Sequence, residues 1–150
     1  MQRMIFVNLP VRDLARSTAF YEALGFAKNP QFSNDDASCM MWSEVIVVML
    51  HTHEHFLRFS PRPVSDATKA CEVLLCLSAE TREAVDALVQ KAGTAGGGVD
   101  PCPVQDHGFM YGRSYEDPDG HIWEVVWMDP AAVAESNAGN TDAQSRTVTA

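Results

Sequence analysis

Basic residues are scarce in this 150-residue chain: 11 Lys and Arg stand against 20 Asp and Glu, a formal net charge of −9. Nucleic-acid binding rests on Lys and Arg neutralising phosphates, so the balance argues against a nucleic-acid partner. It argues equally against a basic module that docks on a membrane surface. Long hydrophobic runs are missing as well. A bilayer span takes about 20 apolar residues, and the longest run here is Val45-Ile46-Val47-Val48-Met49-Leu50. Residues 1–8 hold neither the apolar stretch nor the cleavage site of a secretory signal, which predicts a soluble cytoplasmic protein. Cysteine is sparse and irregularly placed (Cys39, Cys71, Cys76, Cys102), without a C-x-x-C pair. That spacing reads as free, mostly packed thiols rather than a disulfide or zinc framework. No G-x-S-x-G elbow, phosphate loop or dinucleotide fingerprint occurs, and Gly96-Gly97-Gly98 follows a helical segment instead of opening one.

What remains is a globular composition, 46% hydrophobic, with one rhythm that occurs twice. Residues 4–11 alternate as a strand. Asp13 stands where a helix cap belongs, ahead of an apolar stripe of Leu14, Phe20, Tyr21 and Leu24, and Gly25 stands at the left-handed C-terminal position. Strands over 37–42 and 45–50 follow. The second unit starts with a strand over 72–77 and a helix over 81–92, striped by Val85, Leu88 and Val89 and closed by Gly93. Strands over 109–116 and 121–127 flank the turn Asp117-Pro118-Asp119-Gly120. Phe6 to Glu72 is 66 residues, Gly25 to Gly93 is 68, and Val48 to Glu124 is 76. These offsets indicate duplication. The expectation is one domain over residues 1–130, built of two βαβββ repeats at 4–51 and 72–128, with a linker at 52–71 and a loose tail at 131–150. The fold class is α+β: the repeats form a cup-shaped mixed sheet around a shared cavity, with the helices outside.

Two strings carry a resemblance. One runs from Val11 to Phe26 with the pattern D-L-x-x-S-x-x-F-Y-x-x-L-G-F; the other is Glu116-Asp117-Pro118-Asp119-Gly120-His121-Ile122-Trp123-Glu124. Over residues 4–128 the chain resembles the vicinal-oxygen-chelate superfamily, which holds glyoxalases, bleomycin-resistance proteins and extradiol dioxygenases. The resemblance implies a homodimer. It also implies a cavity in which His, Glu or Gln from the first and last strands of each repeat hold one divalent ion. Those positions match Phe6, Val48 (Met49 if the register slips by one), Glu72 and Glu124. Two are apolar and two are carboxylates, so the site is incomplete.

The first functional reading is therefore a cofactor-free small-molecule binding protein. Its apolar cavity is lined by Phe6, Asn8, Val48, Phe109, Tyr111 and Arg113. The alternative is a metal-dependent glyoxalase-like lyase or isomerase, or a dioxygenase, with Zn, Ni, Fe or Mn on Glu72 and Glu124. A third option makes the two glutamates a metal-free acid–base pair, their like charges pushing one pKa up. Tyr111, Arg113 and Tyr115 share a strand face with Phe109 and form either an aromatic pocket with one cation or packing in which Arg113 pairs with a cavity glutamate. His51, His53 and His55 would share a face in an extended chain, as metal ligands or, more simply, as a solvated row in the linker. His107 is a loop histidine or a lid residue, and Trp42, Trp123 and Trp127 are core or interface.

Overall fold

A computed structural model describes residues 2–134 of the chain. Strand β1 (Ile5–Val11) turns Leu9 and Val11 into the core, which leaves Phe6, Asn8 and Pro10 on the other face. Asp13 then caps helix α1 (Leu14–Ala23), accepting the Arg16 N–H at 3.0 Å. Gly25, at φ +103°, ends it as the sequence suggests, because that backbone conformation costs a side-chain-bearing residue energy. Strands β2 (Ala27–Asn29), β3 (Ala37–Met41) and β4 (Ile46–Thr52) complete a mixed sheet in the order β1-β4-β3-β2, with β1 and β4 parallel. A one-turn helix α2 (His53–Phe56) leads into residues 57–74.

The second unit repeats the plan. Strand β5 (Leu75–Ser78) is followed by helix α3 (Arg82–Thr94), strands β6 (Gly98–Val99), β7 (Gln105–Asp106), β8 (Met110–Glu116) and β9 (Ile122–Met128). Its sheet runs β5-β9-β8-β6, with β7 also on β8 and β5 parallel to β9. The architecture is α+β, with the strands divided between two mixed sheets and each opening strand at a sheet edge. Two boundaries differ from expectation. Helix α3 continues through Gly93, and Gly96 at φ +94° is the left-handed residue instead, its N–H returning to the Gly93 carbonyl. Strand β5 starts at Leu75, so Glu72 precedes it. Residues 131–134 continue a helical segment; the rest of the expected loose tail, 135–150, lies outside the described residues.

One core serves both units. Phe20, Tyr21 and Leu24 of α1 and Val85, Val89 and Ala92 of α3 pack with Leu9, Leu50, Trp123 and Val125 from the two sheets. Trp42 and Trp127 pack against its margin. The two signature strings meet here, which explains why they belong together. Tyr21 donates its hydroxyl to Asp117 Oδ2 at 2.7 Å and accepts the Trp123 Nε1–H at 3.0 Å. Ser17 donates to Asp119 Oδ2 at 2.8 Å, and Asp119 Oδ1 accepts the Arg12 N–H, also at 2.8 Å. The turn is thus bolted to the first helix by carboxylates that are themselves buried. Among the described residues no helix is long and apolar enough to cross a membrane.

Candidate functional site

Each sheet has one face on the helices and one open face, and the open faces are where a site must be built. Ladder registers decide which residues lie there. Val48 pairs with Val7 and is fully buried in the core, whereas Met49 pairs with Asn8 and turns to the open side. In the second sheet Glu124 pairs with Cys76, opposite the core residues Trp123 and Val125. The helix caps Asp13 and Thr81 stand 68 residues apart, and that shift carries Asn8 onto Cys76 and Phe6 onto Leu74. Paired Asn8–Met49 and Cys76–Glu124 are then equivalent. The positions that the superfamily pattern would use for a metal are therefore Phe6, Met49, Leu74 and Glu124. Val48 and Glu72 are corrected to Met49 and Leu74.

That donor set does not fit the divalent ion the fold family implies. Zinc, nickel, iron and manganese take nitrogen, oxygen or thiolate donors; the four positions offer one carboxylate, one thioether and two hydrocarbons. Among the described residues no three His, Cys, Asp or Glu side chains gather closely enough to hold a metal.

The candidate residues fall in separate places. Asn8 and Glu72 line a cavity of about 490 Å³ between β1, the strap of residues 60–73 and the start of β9, together with Pro10, Phe56, Arg62, Cys71, His121 and Ile122. Glu124 lines a different groove, about 600 Å³, with Cys76, Ser78, Met110, Val126 and Met128. The two glutamates do not meet in one cavity, which removes the geometry an acid–base pair requires. Beside Glu124 the Cys76 thiol is pushed up in pKa, first by burial and then by that carboxylate. Phe6 and Phe109 are exposed, at 54% and 56% of their surface, and line neither space.

Tyr111, Arg113 and Tyr115 do share a face of β8, but it is the helix side. Arg113 donates to Asp86 Oδ1 at 2.8 Å and to Asp100 Oδ2 at 2.6 Å, and Tyr111 donates to Asp86 at 2.8 Å. The expected partner, a cavity glutamate, is thus replaced by aspartates of α3 and of the loop after β6. Those bonds hold both aspartates below the usual carboxylate range and raise the guanidinium further. His107 sits in the β7–β8 turn, its ring 6.3 Å from that of Phe109.

The histidine row is where sequence reasoning missed most. His51 is the penultimate residue of β4, only 4% exposed, and the chain then turns into α2 instead of staying extended. His51 Nε2 lies 2.8 Å from Asn8 Oδ1, and His51 Nδ1 lies 2.9 Å from His55 Nδ1. Phe56 and Phe59 stand beside the two rings. His53 is exposed and apart from them. Burial, then the neighbouring His55, lowers the His51 pKa. Only the register of β4 reveals this: His51 follows Met49 by two and so shares the open face.

Residues 3–41 match the family described as bleomycin resistance protein-like N-terminal. No curated protein sequence matches the chain. A solved hypothetical protein, SA1046 of S. aureus, is 33% identical, with 85% of this chain and 94% of that one covered and a TM-score of 0.70. A glyoxalase/bleomycin resistance protein/dioxygenase family enzyme from Burkholderia phytofirmans PsJN is 22% identical over 85% and 99% of the two chains, TM-score 0.68, and shares the fold. So does the fosfomycin resistance protein FosX of Listeria monocytogenes, at 15% identity, 85% and 93% coverage and a TM-score of 0.61. The paired signature strings and the doubled unit agree with these likenesses: the chain has the fold of the glyoxalase/bleomycin resistance/dioxygenase proteins, and its first 41 residues include the match to the bleomycin resistance protein-like N-terminal family.

Proposed function

We propose that the protein binds a small molecule without a metal, using the cavity beneath the strap of residues 60–73. The observation that carries this reading is the donor set at the superfamily's metal positions, where Phe6, Met49 and Leu74 leave Glu124 alone. Such a set cannot polarise a carbonyl through an ion, whereas a cavity of about 490 Å³ with mixed walls is of the size that small ligands fill. The setting is cytoplasmic, which four free thiols support; nucleic acid is not a partner, given the net charge of −9.

The active form is a homodimer. Among the described residues both opening strands, β1 and β5, have an unpaired edge; exposed Ile5 and Phe6 begin β1, and exposed Val73 and Leu74 directly precede β5. An apolar, unpaired sheet edge favours pairing with a second copy. Sedimentation equilibrium should give twice the chain mass.

Metal analysis of untagged protein, with Glu124→Gln as comparison, tests the main reading. Substoichiometric divalent metal, unchanged in the variant, is the expected result. One equivalent of metal that disappears in Glu124→Gln would instead establish the metal-dependent lyase, isomerase or dioxygenase reading. Turnover of a glutathione hemithioacetal by metal-free protein would overturn binding as the sole activity.

A further inference from the structure

Asn8 connects buried His51 and its half-buried partner His55 to the cavity under the strap, and the direction of its hydrogen bonds follows from the donors and acceptors present. Its Oδ1 only accepts, so His51 Nε2, 2.8 Å away, carries the proton. In the neutral ring, a proton at Nε2 leaves His51 Nδ1 a bare acceptor. His55 Nδ1, 2.9 Å from it, must then be the donor. The chain of bonds runs one way, from His55 through His51 to Asn8. It fixes the amide with Nδ2 turned away from the histidines. That nitrogen makes one long hydrogen bond, 3.4 Å to the Phe6 carbonyl, and among the described residues no acceptor faces its other N–H. Asn8 is exposed and lines the cavity, so this donor is available to a ligand.

Two charges line the same cavity. Arg62 and Glu72 both face it, and among the described residues neither belongs to an ion pair. A guanidinium suits a carboxylate, which takes two of its N–H donors at once. Glu72 repels a ligand of high negative charge such as a phosphate dianion, and accepts from an amine or hydroxyl. Pro10, Phe56, Val73 and Ile122 supply the apolar wall.

We propose, resting on the small-molecule-binding reading above, that the ligand is a small amphipathic carboxylic acid bearing a hydrogen-bond donor. Arg62 and Asn8 Nδ2 receive its carboxylate, Glu72 receives its hydroxyl or amine, and His51 and His55 act as positioning residues that hold the Asn8 amide in one orientation.

The test is calorimetric titration of the full chain with three probes: L-3-phenyllactate, 3-phenylpropionate, which lacks the hydroxyl, and 2-phenylethanol, which lacks the carboxylate. Phenyllactate should bind tightest, and loss of either group should weaken binding at least tenfold. Arg62→Gln and Asn8→Asp should each weaken phenyllactate at least tenfold and leave 2-phenylethanol unchanged. Independently, ¹⁵N imidazole spectra should show His51 protonated at Nε2 and bare at Nδ1. Equal affinity for the three probes, no phenyllactate binding, or the opposite His51 tautomer overturns the proposal. The binding reading itself falls only on the metal and turnover results given with it.

Discussion

The bond between Tyr21 and Asp117 lends itself to a quantitative test, because its members are buried and their partners are all known. Asp117 Oδ1 accepts the N–H groups of Asp119 and His121, both at 2.9 Å, while Oδ2 accepts the Tyr21 hydroxyl at 2.7 Å. Replacing Tyr21 with Phe removes one charge-assisted hydrogen bond and leaves the Trp123 Nε1–H without its acceptor. Each effect costs about 1–3 kcal/mol in a buried setting, so about 2 kcal/mol is a fair sum after local relaxation. Asp117→Ala strips two backbone N–H groups and the hydroxyl of their acceptor at once and should cost about 4 kcal/mol. In the Asp117→Ala background the Tyr21 hydroxyl has already lost its acceptor, so the two losses should fall short of additive by about 1.5 kcal/mol in the double variant. Urea unfolding followed by tryptophan fluorescence measures all three, since Trp123 sits inside the network. The melting temperature should fall by about 4 °C per kcal/mol for a chain of this size. Additivity within about 0.5 kcal/mol would refute the reasoning, because it would mean that the Tyr21–Asp117 bond adds nothing to what holds helix α1 to the 117–120 turn.

Other outcomes follow from the same contacts. Gly120→Ala should destabilise the protein by about 2–3 kcal/mol in urea unfolding, since φ is +98° and a Cβ would meet Thr68 N at 2.7 Å. Arg113→Met should cost about 2 kcal/mol at pH 7, allowing for solvent around Asp86. Asp86 and Asp100 have lowered pKa values, so their contribution is present above the ordinary carboxylate pKa and is lost as pH falls through the lowered ones. Burial raises the Asp117 pKa and pulls the other way, so the signature is the difference between variant and wild type, which should shrink below about pH 4. With a thiol-reactive dye, exposed Cys71 should react first and Cys39 only on unfolding; Cys76 should be slow for its exposure and faster in Glu124→Gln.

The parts of the fold that were legible are those where one residue type has one physical use. Asp13 as a cap, Gly25 at positive φ and the Asp117–Gly120 turn each follow from local geometry. The register of β4 was not legible, because residues 45–50 are apolar on both faces and carry no alternation to read. Two positions depend on that register: Met49 and not Val48 lies on the open face, and His51 belongs to the strand and not to the linker. At β5 the alternation was right but the equivalence was off by two, since Glu72 and Leu74 have the same parity and only the helix caps separate them. Arg113 shows a further limit. Its strand face could be read from spacing, but which side of the sheet that face meets depends on Asp86 and Asp100, which reach it only in three dimensions.

The shared core also has a meaning for the chain as a covalent object. Phe20 and Tyr21 of the first unit lie 6.1 and 6.0 Å, ring to ring, from Tyr115 and Trp123 of the second. The stretch between the units is exposed and carries no helix or strand from Leu57 to Leu74. Continuity of the backbone is needed least there, while the interface that a cut would leave is built like an interior. Two separately expressed fragments, divided in that stretch, are therefore suited to reassemble by complementation, which makes this small protein a scaffold for a split reporter whose halves report their own meeting through Trp123.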